Sequence, residues 1–382
     1  MVYVTVKMQP SYHQMTIEEL LFGTYKGDGL LSRNETNTRT YQLNSIIGSK
    51  FLSDFNPAEL IGALVRFNDS VKELYQVEDK NELYDKFFIP KKSGGLRQIN
   101  APKPELMDAL RWLKTIFEEQ FHALYHTSSF AYVKGRSTID AVKRHQANQS
   151  RWFAKLDLHD FFGSTNMNFV LAMLGQIFPF NEVMRYEVGV KELTKALELA
   201  MLNGGLPQGT PISPLITNVM MIPIDFTLSN AFRDFENQRF VYTRYADDFI
   251  ISSEYDFDIR KVEGLVVKTL REFNAPFQIN ESKTRYGSSS GRNWNLGVML
   301  NKDNEITVGH KNHRRFQSML YNFVQDMRKG VARSLDDLQS LLGLHSYYSM
   351  VEKSTIQGMV DHFNAKYSVD VIRMIKDAIR EG

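Results

Sequence analysis

Two acidic residues stand side by side, Asp247 and Asp248, in the stretch RFVYTRYADDFIISS between two apolar runs. Apolar runs flanking a short polar centre predict a β-hairpin with the acids at its tip. Two carboxylates a few ångströms apart repel each other, so a fold that keeps them together calls for a cation. Neighbours on a strand point to opposite faces, so these two alone cannot both face one ion equally, and a third carboxylate from another strand is needed. The run WFAKLDL, Trp152 to Leu158, has the large apolar residues of a buried strand and delivers Asp157, the best placed candidate.

The chain has no cysteine, which removes disulfides, thiolate nucleophiles and sulfur-ligated zinc, so any metal must sit on oxygen or histidine. Hard ions such as Mg2+ prefer carboxylate oxygen and accept substrate phosphates as remaining ligands. Two of them about 3.5 to 4 Å apart would serve an in-line displacement, the chemistry of nucleotidyl transfer. The net charge of +2 does not by itself imply a nucleic-acid partner. Basic residues do gather locally, at Lys91, Lys92, Arg97 and Lys103, at Lys134, Arg136, Lys143 and Arg144, and at Lys311, Arg314 and Arg315. Any one such cluster is ordinarily a solvated face.

The chain is 382 residues long and 43% hydrophobic, enough for a sizeable core. It has no repeat and no Pro/Gly/Ser-rich linker, so lobes of one enzyme are expected. Residues 1–80 read as a mostly helical extension, with a turn-rich patch from Tyr25 to Gly29 and a helix around Pro57 to Tyr75. FFIP, KKSGG and LRQINAP predict a hairpin whose loop carries lysines. A helix is expected from Pro104 to Tyr125, and another from Thr138, where Ser137 and Asp140 have capping-box spacing and Arg136 lies at the helix mouth. Residues 167–202 read as helical, and GGLPQGTPISP as a loop feeding the helix LITNVMMIPIDF. After Gly309 the chain reads as helical to its end, with breaks at Gly330 and Gly343. No run approaches the roughly 18 apolar residues of a membrane span, and the N-terminus lacks a secretory pattern, so a cytoplasmic protein without membrane partners is expected.

In order, IPKKSGGLRQINAP, FAYVKGRSTIDA, FAKLDLHDFFGS, GGLPQGTPISPLITN, RYADDFIIS, INESKT and NLGVML resemble the successive motif blocks of bacterial reverse transcriptases, from about Phe87 to Leu300. The resemblance implies an α+β right-hand polymerase: fingers at 81–150, palm at 151–308 with a fingers insertion at about 167–205, and a helical thumb at 309–382. It further implies RNA-directed DNA synthesis with two Mg2+ ions, Mn2+ being possible, an RNA template, dNTPs as substrates and a DNA product.

Carried over by motif, Asp157, Asp247 and Asp248 would be the metal ligands, assisted by the Leu158 carbonyl, with Tyr245 near the primer end. Arg97, with Lys91 or Lys92, would meet nucleotide phosphates, and Gln208 would lie against the incoming nucleotide. Lys283 would either protonate departing pyrophosphate or be an exposed structural lysine. Phe162 falls five residues after Asp157, where a large ring would exclude a 2′-hydroxyl, and one of Phe161 and Phe162 is expected in the core. Arg136 and the thumb residues Lys311, Arg314 and Arg315 would grip nucleic acid. A zinc site on His310 and His313 lacks further ligands nearby.

About 130 residues follow the acidic pair, room for a thumb but not for the extra domains of intron-mobility enzymes. Retron enzymes usually carry Val-Thr-Gly where this chain has Asn295-Leu296-Gly297-Val298, and diversity-generating enzymes usually have Ser-Gln where it has Pro207-Gln208. Both departures point toward stand-alone, group II intron-like enzymes of antiphage defence that copy a small noncoding RNA. Retron-type or other mobile-element activity, and untemplated or protein-primed synthesis by the same palm, stand as alternatives. From other classes, an RNA-dependent RNA polymerase would need a polar residue near Phe162, and an idle RNA-binding scaffold would not need all three acids.

Overall fold

The computed structural model describes residues 4–8, 11–15, 55–91, 94–120, 125–233, 235–290 and 296–381, the first two segments by backbone alone. The chain forms two compact units, one from 1–137, 154–251 and 257–285, the other from 138–153, 252–256 and 286–382.

The first unit begins with β1 (Val4–Met8) and β2 (Ser11–Met15), an antiparallel pair in the register Val4↔Met15. The helical reading of the N-terminal extension is therefore corrected at its start, where the β-branched Val4, Thr5 and Val6 favour a strand. The patch from Tyr25 to Gly29 lies outside the described residues. A helix spans Pro57–Ser70, started by Asn56, whose side chain accepts the Ala58 N–H at 3.0 Å, and it buries the stripe Leu60, Leu64 and Phe67.

The predicted hairpin is β3 (Tyr84–Pro90) and β4 (Leu96–Pro102), antiparallel, with Ile89 opposite Arg97. Gly94 and Gly95 turn it at φ 89° and 78°, a region open to glycine. Its strands are largely exposed, so the hairpin projects. The next helix, Pro104–Gln120, stops short of Tyr125.

The chain also forms a four-stranded sheet of order β6-β7-β5-β8, with β5 (Trp152–Asp157), β6 (Phe240–Tyr245), β7 (Asp248–Ser253) and β8 (Arg285–Ser288). Apolar helices Met167–Leu174, Glu187–Ala200, Ser213–Met220 and Ile222–Arg233 supply much of the first unit's core. No single described helix is long and apolar enough to cross a membrane.

The second unit holds helix Thr138–Ala147, the short strands β9 (Met299–Leu300) and β10 (Ile306–Thr307), and four helices, His310–Arg328, Leu335–Val351, Lys353–Tyr367 and Val371–Glu381. Phe316, Leu320, Phe323, Leu341, Ile356 and Ile375 meet in its core. Gly330 does end a helix, at φ 68°. Gly343 does not: it sits inside Leu335–Val351, where flanking helix formers carry the chain through and the break falls at Glu352.

Candidate active site

The acidic turn is made by Ala246 at φ 56°, which reverses the chain between β6 and β7 and leaves Asp247 in the turn and Asp248 at the start of β7. Its partner strand is β5. The Leu158 N–H donates to the Asp247 carbonyl at 3.1 Å, and the Asp157 carbonyl accepts the Asn280 N–H at 2.7 Å. Backbone hydrogen bonds thus join the two acid-bearing segments through Leu158 and tie the Asn280 segment to Asp157. Asp157 is buried, and Asp247 and Asp248 are half-buried.

Two lysines neutralise the outer acids. Lys283 Nζ lies 3.0 and 2.9 Å from the two oxygens of Asp157, and Lys155 Nζ lies 2.6 Å from Asp248 Oδ2. Burial, then the charges of Asp248 and Asp157, push the Asp247 carboxyl up to about 6. Burial also raises Asp248, against the pull of Lys155. The donor set is all oxygen and short of positive charge, which fits a hard divalent cation. As the side chains stand, no three His, Asp or Glu residues among those described converge with metal-ligand geometry, and the ammonium groups hold the carboxylates.

Under the turn lies a buried network absent from the sequence expectations. Arg244 reaches Asp225 through Nε at 2.8 Å and Nη2 at 2.7 Å, Asn218 at 3.2 Å, Ser129 Oγ at 3.1 Å and the Ala246 carbonyl at 3.2 Å. Its signal was an arginine on the inward face of an otherwise apolar strand, two residues from Tyr242; such a charge needs a buried partner. Lys155 had a similar signal, lying on the Asp157 face of β5.

Around the acids, three segments are joined by backbone contacts. The Leu206 N–H donates to the Phe162 carbonyl at 2.9 Å, and the Gln208 carbonyl accepts the Asn100 N–H of β4 at 2.9 Å. Gly209, at φ +112°, lies so close to β4 that a Cβ there would stand 2.8 Å from Ile99 Cγ2 and 2.9 Å from the Asn100 carbonyl. Phe161 is buried against Phe277, with ring centroids 5.0 Å apart, whereas Phe162 is only half-buried. Of the two phenylalanines, Phe162 is the one open to a ligand. Arg97 and Lys91 are exposed on the hairpin, Tyr245 is half-exposed at the end of β6, and Lys92 lies outside the described residues.

Arg136 holds its own loop. Its Nη1 donates to the His126 and Ser129 carbonyls at 2.6 Å each, so its charge organises the preceding loop. In the second unit, Lys311, Arg314 and Arg315 share an exposed stretch of helix His310–Arg328. His313 instead meets Glu352, with Nε2 2.5 Å from Oε1, an arrangement unlike a zinc pair with His310.

Comparison with known proteins agrees with this architecture. Residues 89–331 match the family described as reverse transcriptase (RNA-dependent DNA polymerase). The retron Ec83 reverse transcriptase of Escherichia coli is 27% identical over 305 residues, spanning 77% of this chain and 89% of that protein. The retron Ec73 reverse transcriptase of the same species is 27% identical, spanning 69% of this chain and 81% of its own. A telomerase structure from Candida albicans superposes with a TM-score of 0.43 at 12% identity, over 78% of this chain and 59% of that one, too distant to bear on function. The match covers well over half the chain, which therefore belongs to the reverse transcriptases, as an α+β, RNA-directed DNA polymerase.

Proposed function

We propose that this reverse transcriptase copies a small noncoding RNA into DNA in the bacterial cytoplasm, in the service of antiphage defence, with Asp157, Asp247 and Asp248 as its metal-binding acids. The observation that carries the site is the Leu158 to Asp247 hydrogen bond, which fastens the Asp157 strand to the acidic turn. Similarity to retron enzymes favours the retron-type reading over the stand-alone, intron-like one, and the departure at Asn295-Leu296-Gly297-Val298 does not outweigh a relative aligned over 305 residues.

When bound, a pair of Mg2+ ions, or Mn2+, would lower the pKa of the primer 3′-hydroxyl and offset charge on the departing pyrophosphate. The three carboxylates would hold them, with the Leu158 carbonyl beside Asp157. Lys283 and Lys155 keep Asp157 and Asp248 aligned before substrate arrives and would swing toward phosphate afterwards, Lys283 being half-exposed and free to do so. Arg97 offers a bidentate fork to phosphate and Lys91 a point charge. Gln208 lies beside the nucleotide, Tyr245 beside the primer end, and Phe162 fills the space a 2′-hydroxyl would need. Lys311, Arg314 and Arg315 bind duplex phosphates, which predicts salt-sensitive binding.

The test has two parts. Purified protein is offered a primed RNA with Mg2+ and either dNTPs or NTPs; incorporation of NTPs alone, or of neither, would refute the polymerase assignment. Nucleic acid copurifying from the host is then sequenced with and without phage infection, using Asp247→Ala as control. One small RNA with matching, Asp247-dependent DNA supports the reading. DNA matching no RNA would overturn the templated part of it.

A further inference from the structure

The loop from Tyr125 to Ser137 is fastened along much of its length. The Arg244 N–H donates to the Ser128 carbonyl at 2.6 Å, and the Phe130 N–H donates back to the Arg244 carbonyl at 2.9 Å. Asn218 Nδ2 donates to the Ala131 carbonyl at 2.6 Å. Phe130, Ala131 and Val133 are 5%, 0% and 8% exposed, whereas Tyr132, in their midst, is 57% exposed.

Tyr132 also has φ 58°. A side chain with a Cβ is strained in that region, and an aromatic residue lacks the local hydrogen bond that lets Asn or Asp tolerate it. Strain of this kind persists where surrounding structure over-determines it, and it concentrates at sites that handle ligands. The fastened neighbours are that surrounding structure here, and the result is a ring held outward. Partial desolvation, then the charges of Asp247 and Tyr245, raise the pKa of its hydroxyl, and Arg97 opposes them. The loop that carries it is tied to the acidic turn through Arg244, which pairs with Ser129 and also holds the Ala246 carbonyl.

We propose that the Tyr132 ring is the surface on which the nascent base pair packs, positioning the incoming deoxynucleotide between Arg97 and Asp247. This rests on the roles assigned above to those two residues. A ring suits the task because every base has a π-face, so the contact tolerates all four. Tyrosine has few rotatable bonds, and its fixed backbone removes most of what freedom remains. No proton transfer is asked of the hydroxyl.

The experiment is single-nucleotide incorporation by the full chain on an RNA template with a DNA primer, together with thermal melting. Tyr132→Gly and Tyr132→Asn remove the ring and place at this φ two residues that accept it. Both are expected to raise KM for dNTP roughly tenfold, the scale of one lost base–aromatic contact, with kcat within about threefold and melting not below wild type. Tyr132→Phe, which restores the ring, is expected to recover the wild-type KM. An unchanged KM in a folded ring-less variant would overturn the proposal. So would a fall in kcat alone, which would assign Tyr132 to holding the acids, or lowered melting in both ring-less variants, which would make the ring structural. Loss of activity in Tyr132→Phe would assign the hydroxyl and overturn it too. A wild-type protein inert on primed RNA would instead refute the polymerase site itself.

Discussion

Arg244 and Asp225 form an ion pair with both side chains fully buried, and the same guanidinium grips the carbonyl of Ala246 in the acidic turn. The pair also receives the Tyr242 hydroxyl at 2.8 Å and reaches Ser129 of the Tyr132 loop. One buried charge pair therefore ties the turn that presents Asp247 to the loop that presents Tyr132.

Breaking this pair from one side leaves a buried charge without compensation. Arg244→Met is expected to cost about 3–5 kcal/mol in a urea melt. The double variant Arg244→Met with Asp225→Leu removes both charges and should recover much of that stability. Activity should not return with it, because no group then holds the Ala246 carbonyl. Full activity in the stable double variant would show that the pair merely fills the core.

Asp247 gives a prediction of opposite sign for stability. Its carboxyl is raised to about 6 from an ordinary 3.8, so the folded state binds that proton more tightly than the unfolded state does. The associated stability is fully present below about 3.8 and is lost as pH rises through about 6. At pH 7.5 the metal-free protein carries the whole penalty. Asp247→Asn should accordingly melt higher than wild type at pH 7.5, by the equivalent of about 1–3 kcal/mol, and the gain should vanish near pH 4. Adding Mg2+ should raise the wild-type midpoint and leave that of the inactive variant unmoved. A variant less stable than wild type at pH 7.5 would contradict the electrostatic account.

Gly209 tests the assembly of loop and fingers. Gly209→Ala places a methyl within 3 Å of Ile99 and the Asn100 carbonyl, at a φ that alanine rarely adopts. The loop must lift from β4, lengthening the Asn100 to Gln208 hydrogen bond. A stability loss of about 1–3 kcal/mol is expected from the strained backbone and overpacking. KM for dNTP should rise with it, whereas unaltered nucleotide affinity would separate Gln208 from the nucleotide.

Much of this site was legible in the residues, and the reasons are local. Apolar runs on both sides of Ala246-Asp247-Asp248 indicated the hairpin and its acids, and FFIP, KKSGG and LRQINAP indicated the fingers hairpin, because runs and turn chemistry are written within a few residues. Lys155 and Lys283, which hold Asp248 and Asp157, show how far that reaches: one was overlooked and the other left between two roles, since which amine meets which carboxylate depends on chain closure over 93 and 126 positions. Arg136 was read from its charge alone for a related reason: its hydrogen bonds to three backbone carbonyls of its own loop depend on how that loop folds back. The open face of Phe162 became distinguishable from the core face of Phe161 only once Phe277 was in place.

That distinction makes the sugar preference testable at one position. Phe161 is 2% exposed and packs on Phe277, so its truncation should cost about 3–5 kcal/mol without changing which sugar is used. Phe162 is half-buried, and its backbone carbonyl already serves Leu206, so replacing its side chain leaves that hydrogen bond intact. Phe162→Ala should remain folded and polymerise dNTPs, while kcat/KM for NTPs rises relative to dNTPs by roughly 10- to 100-fold, the scale of steric exclusion by one wall of a pocket. The measurement is paired incorporation of dTTP and UTP opposite a templating adenine. If the ratio does not move in Phe162→Ala and does move in Phe161→Ala, the gate has been placed on the wrong ring; if it moves in neither, sugar choice is made elsewhere in the palm.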